Sequence, residues 1–156
     1  MIILGLDPSL SCTGWVVVRV EGSRIGHVSN GQVKTDPGAP IAARLAHLVT
    51  AVDGVIAEHA PDRAAAEEVF VNKNPQSTLK LAQARGAVLA ACGAAGLEVR
   101  EHAARLVKKA VVGTGGADKQ QVQAMLKILL PGAAVTGPDA ADALAVAIAD
   151  AHLGGR

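Results

Sequence analysis

The sequence predicts an α/β layer sandwich in one domain. Three observations carry that prediction: a length of 156 residues, three consecutive β-branched runs at the start, and an alternation of helical and strand patterns after them. A chain this long buries roughly two-thirds of the surface its unfolded form would expose, so a single core is expected.

The segments MIILGL and WVVVRV are separated by the turn-rich DPSLSCTG, and RIGHVSNGQVKT follows EGS with its own alternation. This spacing predicts three antiparallel strands in succession. In PIAARLAHLVTAVDGVIAEHAP, residues Ile41, Leu45, Leu48, Val52, Val55 and Ile56 recur at helical spacing, with Pro40 in the first turn and Pro61 beyond the end. A helix of about five turns is expected there. DRAAAEEVFV is short and lies between helical patterns, so it reads as a fourth strand despite its helix-favouring alanines. After the loop NKNPQ, STLKLAQARGAVLAACGAAG is helical and LEVREHA reads as a fifth strand. AARLVKKAVVG starts another helix, TGGA breaks it, DKQQVQAMLKILLPG forms the next, and GPDAADALAVAIADAHLGG closes the chain. Antiparallel strands followed by parallel strands joined by helices give one mixed sheet, without an internal repeat or linker.

Composition narrows the partners. Half the residues are apolar, mostly Ala, Val and Leu, and the only aromatics are Trp15, read as core, and Phe70. Fifteen basic and fourteen acidic side chains nearly cancel, so a polyanion must be met by a local basic patch. Cys12 and Cys92 have no CxxC spacing, which fits a reducing compartment and structural roles. His27, His47, His59, His102 and His152 show no metal-ligand spacing. The chain enters a strand at once, with no basic leader, and charges interrupt every later apolar run. The expectation is a cytoplasmic protein with no membrane association.

Carboxylates carry the chemistry. Asp7 ends an apolar strand, where an ionised carboxylate needs a partner because unpaired burial costs several kcal/mol or forces the pKa upward. Glu67 and Glu68 lie on the fourth strand, and Asp139 and Asp142 share one face near the start of the last helix. Taken singly, Asp139 reads equally as a helix cap, Asp142 as a charge on the helix dipole and Asp7 as a turn residue. Taken together, they suggest converging oxygen ligands for Mg²⁺ or Mn²⁺ and argue against zinc. Two such ions roughly 3.5–4 Å apart can activate water and stabilise a leaving oxygen in phosphodiester hydrolysis. Alternation sends Glu67 and Glu68 to opposite faces, so only one can join the cluster, and the pattern leaves open which. VVGTGGADK lacks the order of a nucleotide-binding P-loop and follows a helical pattern, so its glycines suit a tight turn or a close backbone approach.

Four segments in register, GLDPSLSCTGW, EEVFVNKNPQSTLKLAQARG, VKKAVVGTGGADKQQV and DAADALAVAIADAH, resemble the bacterial crossover junction endodeoxyribonuclease RuvC family over essentially the whole chain. The resemblance implies a ribonuclease-H-like three-layer fold, with a mixed five-stranded sheet and helices on both faces, and a single nuclease domain over residues 1–156. It implies resolution of Holliday junctions by symmetrical nicks in recombination and repair. It further implies a homodimer on four-way junction DNA, two Mg²⁺ per active site with Mn²⁺ substituting, and work beside the RuvA–RuvB branch-migration complex.

Residue by residue, the resemblance assigns Asp7, Glu67, Asp139 and Asp142 to metal and catalysis. Lys108 and Lys119 fall on its functional basic positions, for DNA phosphate or the transition state. Without it they read as solvated helix lysines. Phe70, otherwise a core residue, becomes the one that stacks at the junction centre. Lys73 and Asn74 fall on the same DNA-facing loop, and Arg85 is expected to reach phosphate. The small-residue helix around LAQARGAVLAACGAAG corresponds to the dimer contact. Two rivals are a junction-binding protein without nuclease activity and an ATP-binding phosphotransferase like actin or the sugar kinases. Four retained carboxylates oppose the first, and the short chain opposes the second.

Overall fold

The computed structural model describes residues 1–70 and 73–154. Val71, counted at the end of the fourth strand, and Asn72, at the start of the loop after it, lie outside the described residues. In chain order the elements are β1 (Ile2–Asp7), β2 (Cys12–Glu21), β3 (Arg24–Lys34), α1 (Ile41–His59), β4 (Arg63–Glu67), α2 (Pro75–Ala94), β5 (Val99–His102), α3 (Ala104–Val112), α4 (Lys119–Leu129) and α5 (Gly137–Leu153). Among the described residues they form one five-stranded sheet in the order β3-β2-β1-β4-β5. The first three strands are antiparallel, and β4 and β5 run parallel to β1. The mixed sheet predicted from the sequence is therefore present.

Alternation along the strands divides the interior into two layers. Ile3, Val16, Val18 and Ala65 pack with residues of α3, α4 and α5. Leu4, Leu6, Val17 and Ala64 pack with α1 and α2 on the other face. α5 lies flat on the sheet because both surfaces are small where they meet. A Cβ on Gly5 would collide with the carbonyl of Ala143, and one on Gly14 with the backbone of Asp139. These two glycines set how closely the start of α5 approaches the end of β1.

The other end of α5 is tied to the sheet by charge. Asp150 is fully buried; Arg63 Nε donates to its Oδ2 at 2.6 Å, and His102 Nε2 lies 2.8 Å from its Oδ1. Both carboxylate oxygens are thus engaged, as a buried anion requires.

Several local expectations change. β4 stops at Glu67, because pairing with β5 ends at Glu67↔His102 and the Glu68 N–H makes the last bond, to the His102 carbonyl at 2.9 Å. Val69 and Phe70, counted in that strand, are exposed. α2 begins at Pro75, inside the expected NKNPQ loop, because Asn74 Oδ1 accepts from the N–H groups of Gln76 and Ser77 and caps the helix. Pro40 precedes α1, and Ile41, counted in its apolar stripe, is exposed. Trp15 is only partly buried, packed beside the α1 and α2 layer.

Candidate active site

β1 and β4 are parallel neighbours in the register Leu6↔Ala66, so the next residues, Asp7 and Glu67, leave the sheet side by side. Both lie on the α5 face, because Asp7 shares parity with Ile3 and Glu67 with Ala65. Of the two adjacent glutamates it is Glu67 that faces the carboxylates; Glu68 is exposed beyond the end of β4. Asp7, Glu67 and Asp142 line one pocket of about 250 Å³ with Lys108 of α3 and Lys119 of α4. Val107, Val122, Ala145 and Val146 form its apolar wall.

Asp139 is not among the lining residues, though its charge acts on Asp7. α5 starts at Gly137, so Asp139 is a first-turn residue and not the cap. Gln32 Nε2 lies 3.4 Å from its Oδ2. The Cys12 thiol, expected to be simply structural, is pushed up to about 11 by burial first and by Asp139 second, so it feels the site's charge.

Burial, followed by the negative charges of Asp142, Asp139 and Glu67, pushes the Asp7 carboxyl up to about 7, with Lys119 opposing. Burial and Asp142 also raise Glu67, against Lys108 and Arg85. Lys119 Nζ lies 3.0 Å from Asp142 Oδ2, a contact that raises the lysine. Four carboxylates thus share a region with more negative charge than its lysines offset. The donor set fits hard divalent cations, which prefer oxygen ligands. Among the described residues, no three His, Cys, Asp or Glu side chains are gathered tightly enough to ligate one ion as they stand. The fit lies in donor chemistry and in convergence on one pocket, not in a closed cage.

The other expected residues are not among those that line this pocket. Phe70 is 74 % exposed just past Glu67. Lys73 is exposed, as is Asn74, whose side-chain oxygen is committed to the α2 cap. Arg85, expected to reach phosphate, is turned inward: Nη1 donates to the Glu67 carbonyl at 2.7 Å and Nη2 lies 2.8 Å from Glu101 Oε1. β5 places Glu101 on the α2 side of the sheet, where its carboxylate meets the guanidinium. Cys12, Gln32 and the close-approach Gly14 were missed as site residues; only their position in the first two hairpins hinted at them.

A family model described as crossover junction endodeoxyribonuclease RuvC matches residues 3–150. Proteins of that name from Erythrobacter litoralis and Sphingopyxis alaskensis are 80% and 70% identical to this chain, each over 97% of it and over 93% and 97% of their own lengths. The solved structure of T. thermophilus RuvC in complex with Holliday junction substrate superposes with a TM-score of 0.90 at 33% identity, covering 97% of this chain and 93% of that one. The fold is accordingly the ribonuclease-H-like one.

Proposed function

The chain belongs to the RuvC family of crossover junction endodeoxyribonucleases, and from that premise we propose that Asp7, Glu67, Asp139 and Asp142 hold two Mg²⁺ ions, with Mn²⁺ able to substitute, where it cuts DNA. The activity is hydrolysis of phosphodiesters in Holliday junctions, in recombination and repair, and it is metal-dependent. Family membership removes the phosphotransferase alternative. The observation that supports the ligand set best is the convergence of β1, β4 and α5 carboxylates on one lysine-flanked pocket.

When bound, the ions would activate water and neutralise charge on the leaving oxygen. The chain's own groups do the rest. The carboxylates would hold the ions through their oxygens, beside the apolar wall of Val107, Val122, Ala145 and Val146. Lys108 and Lys119 present compact positive charges to the scissile phosphate, and Lys73 to the neighbouring backbone. Asn74 fixes the start of α2 behind that loop. Arg85 holds the carbonyl of Glu67 and so positions it.

Phe70 offers an exposed ring to an unpaired base at the junction centre. Phe70→Ala is expected to slow junction cleavage about 10-fold, consistent with the loss of one base stack, with linear-duplex affinity unchanged. Equal cleavage by the two proteins in single-turnover assays would remove that role.

The reading includes one domain over residues 1–156, a homodimer through α2, and cytoplasmic work beside the RuvA–RuvB complex. α2 buries only Ala84, Val88, Ala91 and Cys92, while Leu79 is exposed and Gly86 and Gly93 face open space, which suits close approach by a second copy. Among the described residues no helix is long and apolar enough to cross a membrane.

A divalent cation must displace the proton from Asp7, so Mg²⁺ affinity is expected to rise as pH increases through about 7. Stability without metal runs the opposite way. The folded state holds this proton more tightly than the unfolded chain, so the contribution of Asp7 is full below 3.8 and is lost as pH rises to about 7. Calorimetric titrations with Mg²⁺ on either side of neutrality check the first statement; an affinity that fell with rising pH would contradict it.

The deciding assay is cleavage of a synthetic four-way junction beside a linear duplex of the same sequences, with Mg²⁺ and with EDTA. Paired symmetrical nicks in the junction alone are expected. Tight binding without cleavage would favour the binding-only alternative.

A further inference from the structure

Asn30 on β3 faces the connection between α4 and α5. Its Oδ1 accepts from the Thr136 N–H at 2.8 Å, and its Nδ2 donates to the Ala134 carbonyl at 2.9 Å. These backbone partners fix which end of the amide is which, because an N–H can only donate and a carbonyl only accept. The remaining Nδ2 hydrogen points to His27 Nε2 at 2.8 Å, which therefore accepts. A bulge makes this triple contact possible: Val17 pairs with Ser29 but Val18 pairs with His27, so Val28 has no opposite residue. The extra residue brings His27 and Asn30, three apart, to one face, where regular alternation would separate them.

Two positions further along, Gln32 reaches over the start of α5. Its Nε2 lies 3.4 Å from Asp139 Oδ2, and its amide fills the space where a Cβ on Gly137, at φ +83°, would stand. α5 has no side-chain cap of its own, since Thr136 makes none. Its first turn is located by amides from β3, more than a hundred residues earlier in the chain.

We propose that Asn30 is a positioning residue for the carboxylate centre: its amide clamps the strap at Ala134 and Thr136, so that Asp139 and Asp142 are presented to Asp7. The inference rests on the reading of those carboxylates as metal ligands and adds the device that holds two of them in place. Outer partners of ligating groups typically govern metal affinity by 10- to 100-fold.

The test uses Asn30→Ala and Asn30→Asp in the full chain, with Mg²⁺ alone as the calorimetric probe and no DNA present. Asn30→Ala is expected to weaken Mg²⁺ binding about 10-fold and to speed hydrogen exchange at the Thr136 amide, while junction affinity in EDTA stays unchanged. Cleavage should recover at high Mg²⁺, a restoration that general loss of structure would not produce. Asn30→Asp keeps the acceptor for Thr136 but loses both donors, so an intermediate loss is expected; it also serves if Asn30→Ala fails to fold. Native Mg²⁺ affinity with native Thr136 exchange in either folded variant overturns the proposal, as does slower cleavage with an unaltered Mg²⁺ dependence. If the native chain binds Mg²⁺ but does not cut junctions, the nuclease reading fails, and the clamp is still judged by calorimetry.

Discussion

Asp7→Asn is expected to slow Mg²⁺-dependent junction cleavage by at least about 10³-fold, equivalent to about 4 kcal/mol of transition-state stabilisation, while leaving junction binding intact. Asp142, Asp139 and Glu67 all act on Asp7 with their negative charge. The amide preserves shape but removes the anion that would hold metal. It also removes a repulsion, so two further changes are expected above neutral pH. The metal-free variant should melt at a higher temperature than the native chain, and added Mg²⁺ should no longer stabilise it. Thermal melts with and without Mg²⁺, run beside the cleavage assay, separate this account from simple misfolding. A variant that cuts at the native rate would remove Asp7 from the site.

Asp150→Ala is expected to give the largest loss of stability. Asp150 is fully buried, and its partner Arg63 has a side chain only 10% exposed. Removing the anion leaves a guanidinium inside the protein without its countercharge, at a cost of roughly 3–5 kcal/mol. For a chain of this size that lowers Tm by about 10 °C. Junction cleavage well below the new midpoint should persist, because Asp150 ties the far end of α5 to β4 and β5, away from the pocket. A drop in Tm of less than about 2 °C would mean that the pair contributes little and that Arg63 finds water or another acceptor.

Much of the architecture was legible because side-chain periodicity reports which surface a residue buries. β1 and β2 read as continuous β-branched runs because both of their faces are buried, β3 alternates, and α1 repeats at helical spacing because one of its faces meets the core. The ends of elements were less legible. Whether β4 continued past Glu67 depended on where β5 stopped pairing, and that partner lies 35 residues further along. The start of α2 depended on Asn74 turning its side chain back to cap the helix, which competed with its expected place in an open loop.

The candidate site divides along the same line. The sequence by itself determined the inventory: an aspartate closing β1, a glutamate doublet closing β4, two aspartates opening α5, and lysines in the two helices ahead of α5. It also carried the family, through four motifs in order. Only the tertiary structure decided how these groups are used. β1 and β4, adjacent and parallel, place Glu67 beside Asp7. Glu101 draws Arg85 away from solvent, and Asn30 and Gln32 hold the start of α5 from more than a hundred residues away. Local pattern encodes burial, since each element meets the core through its own spacing. Charge partners and long-range amide contacts arise only when separate elements meet, so no window of sequence contains both halves of the interaction.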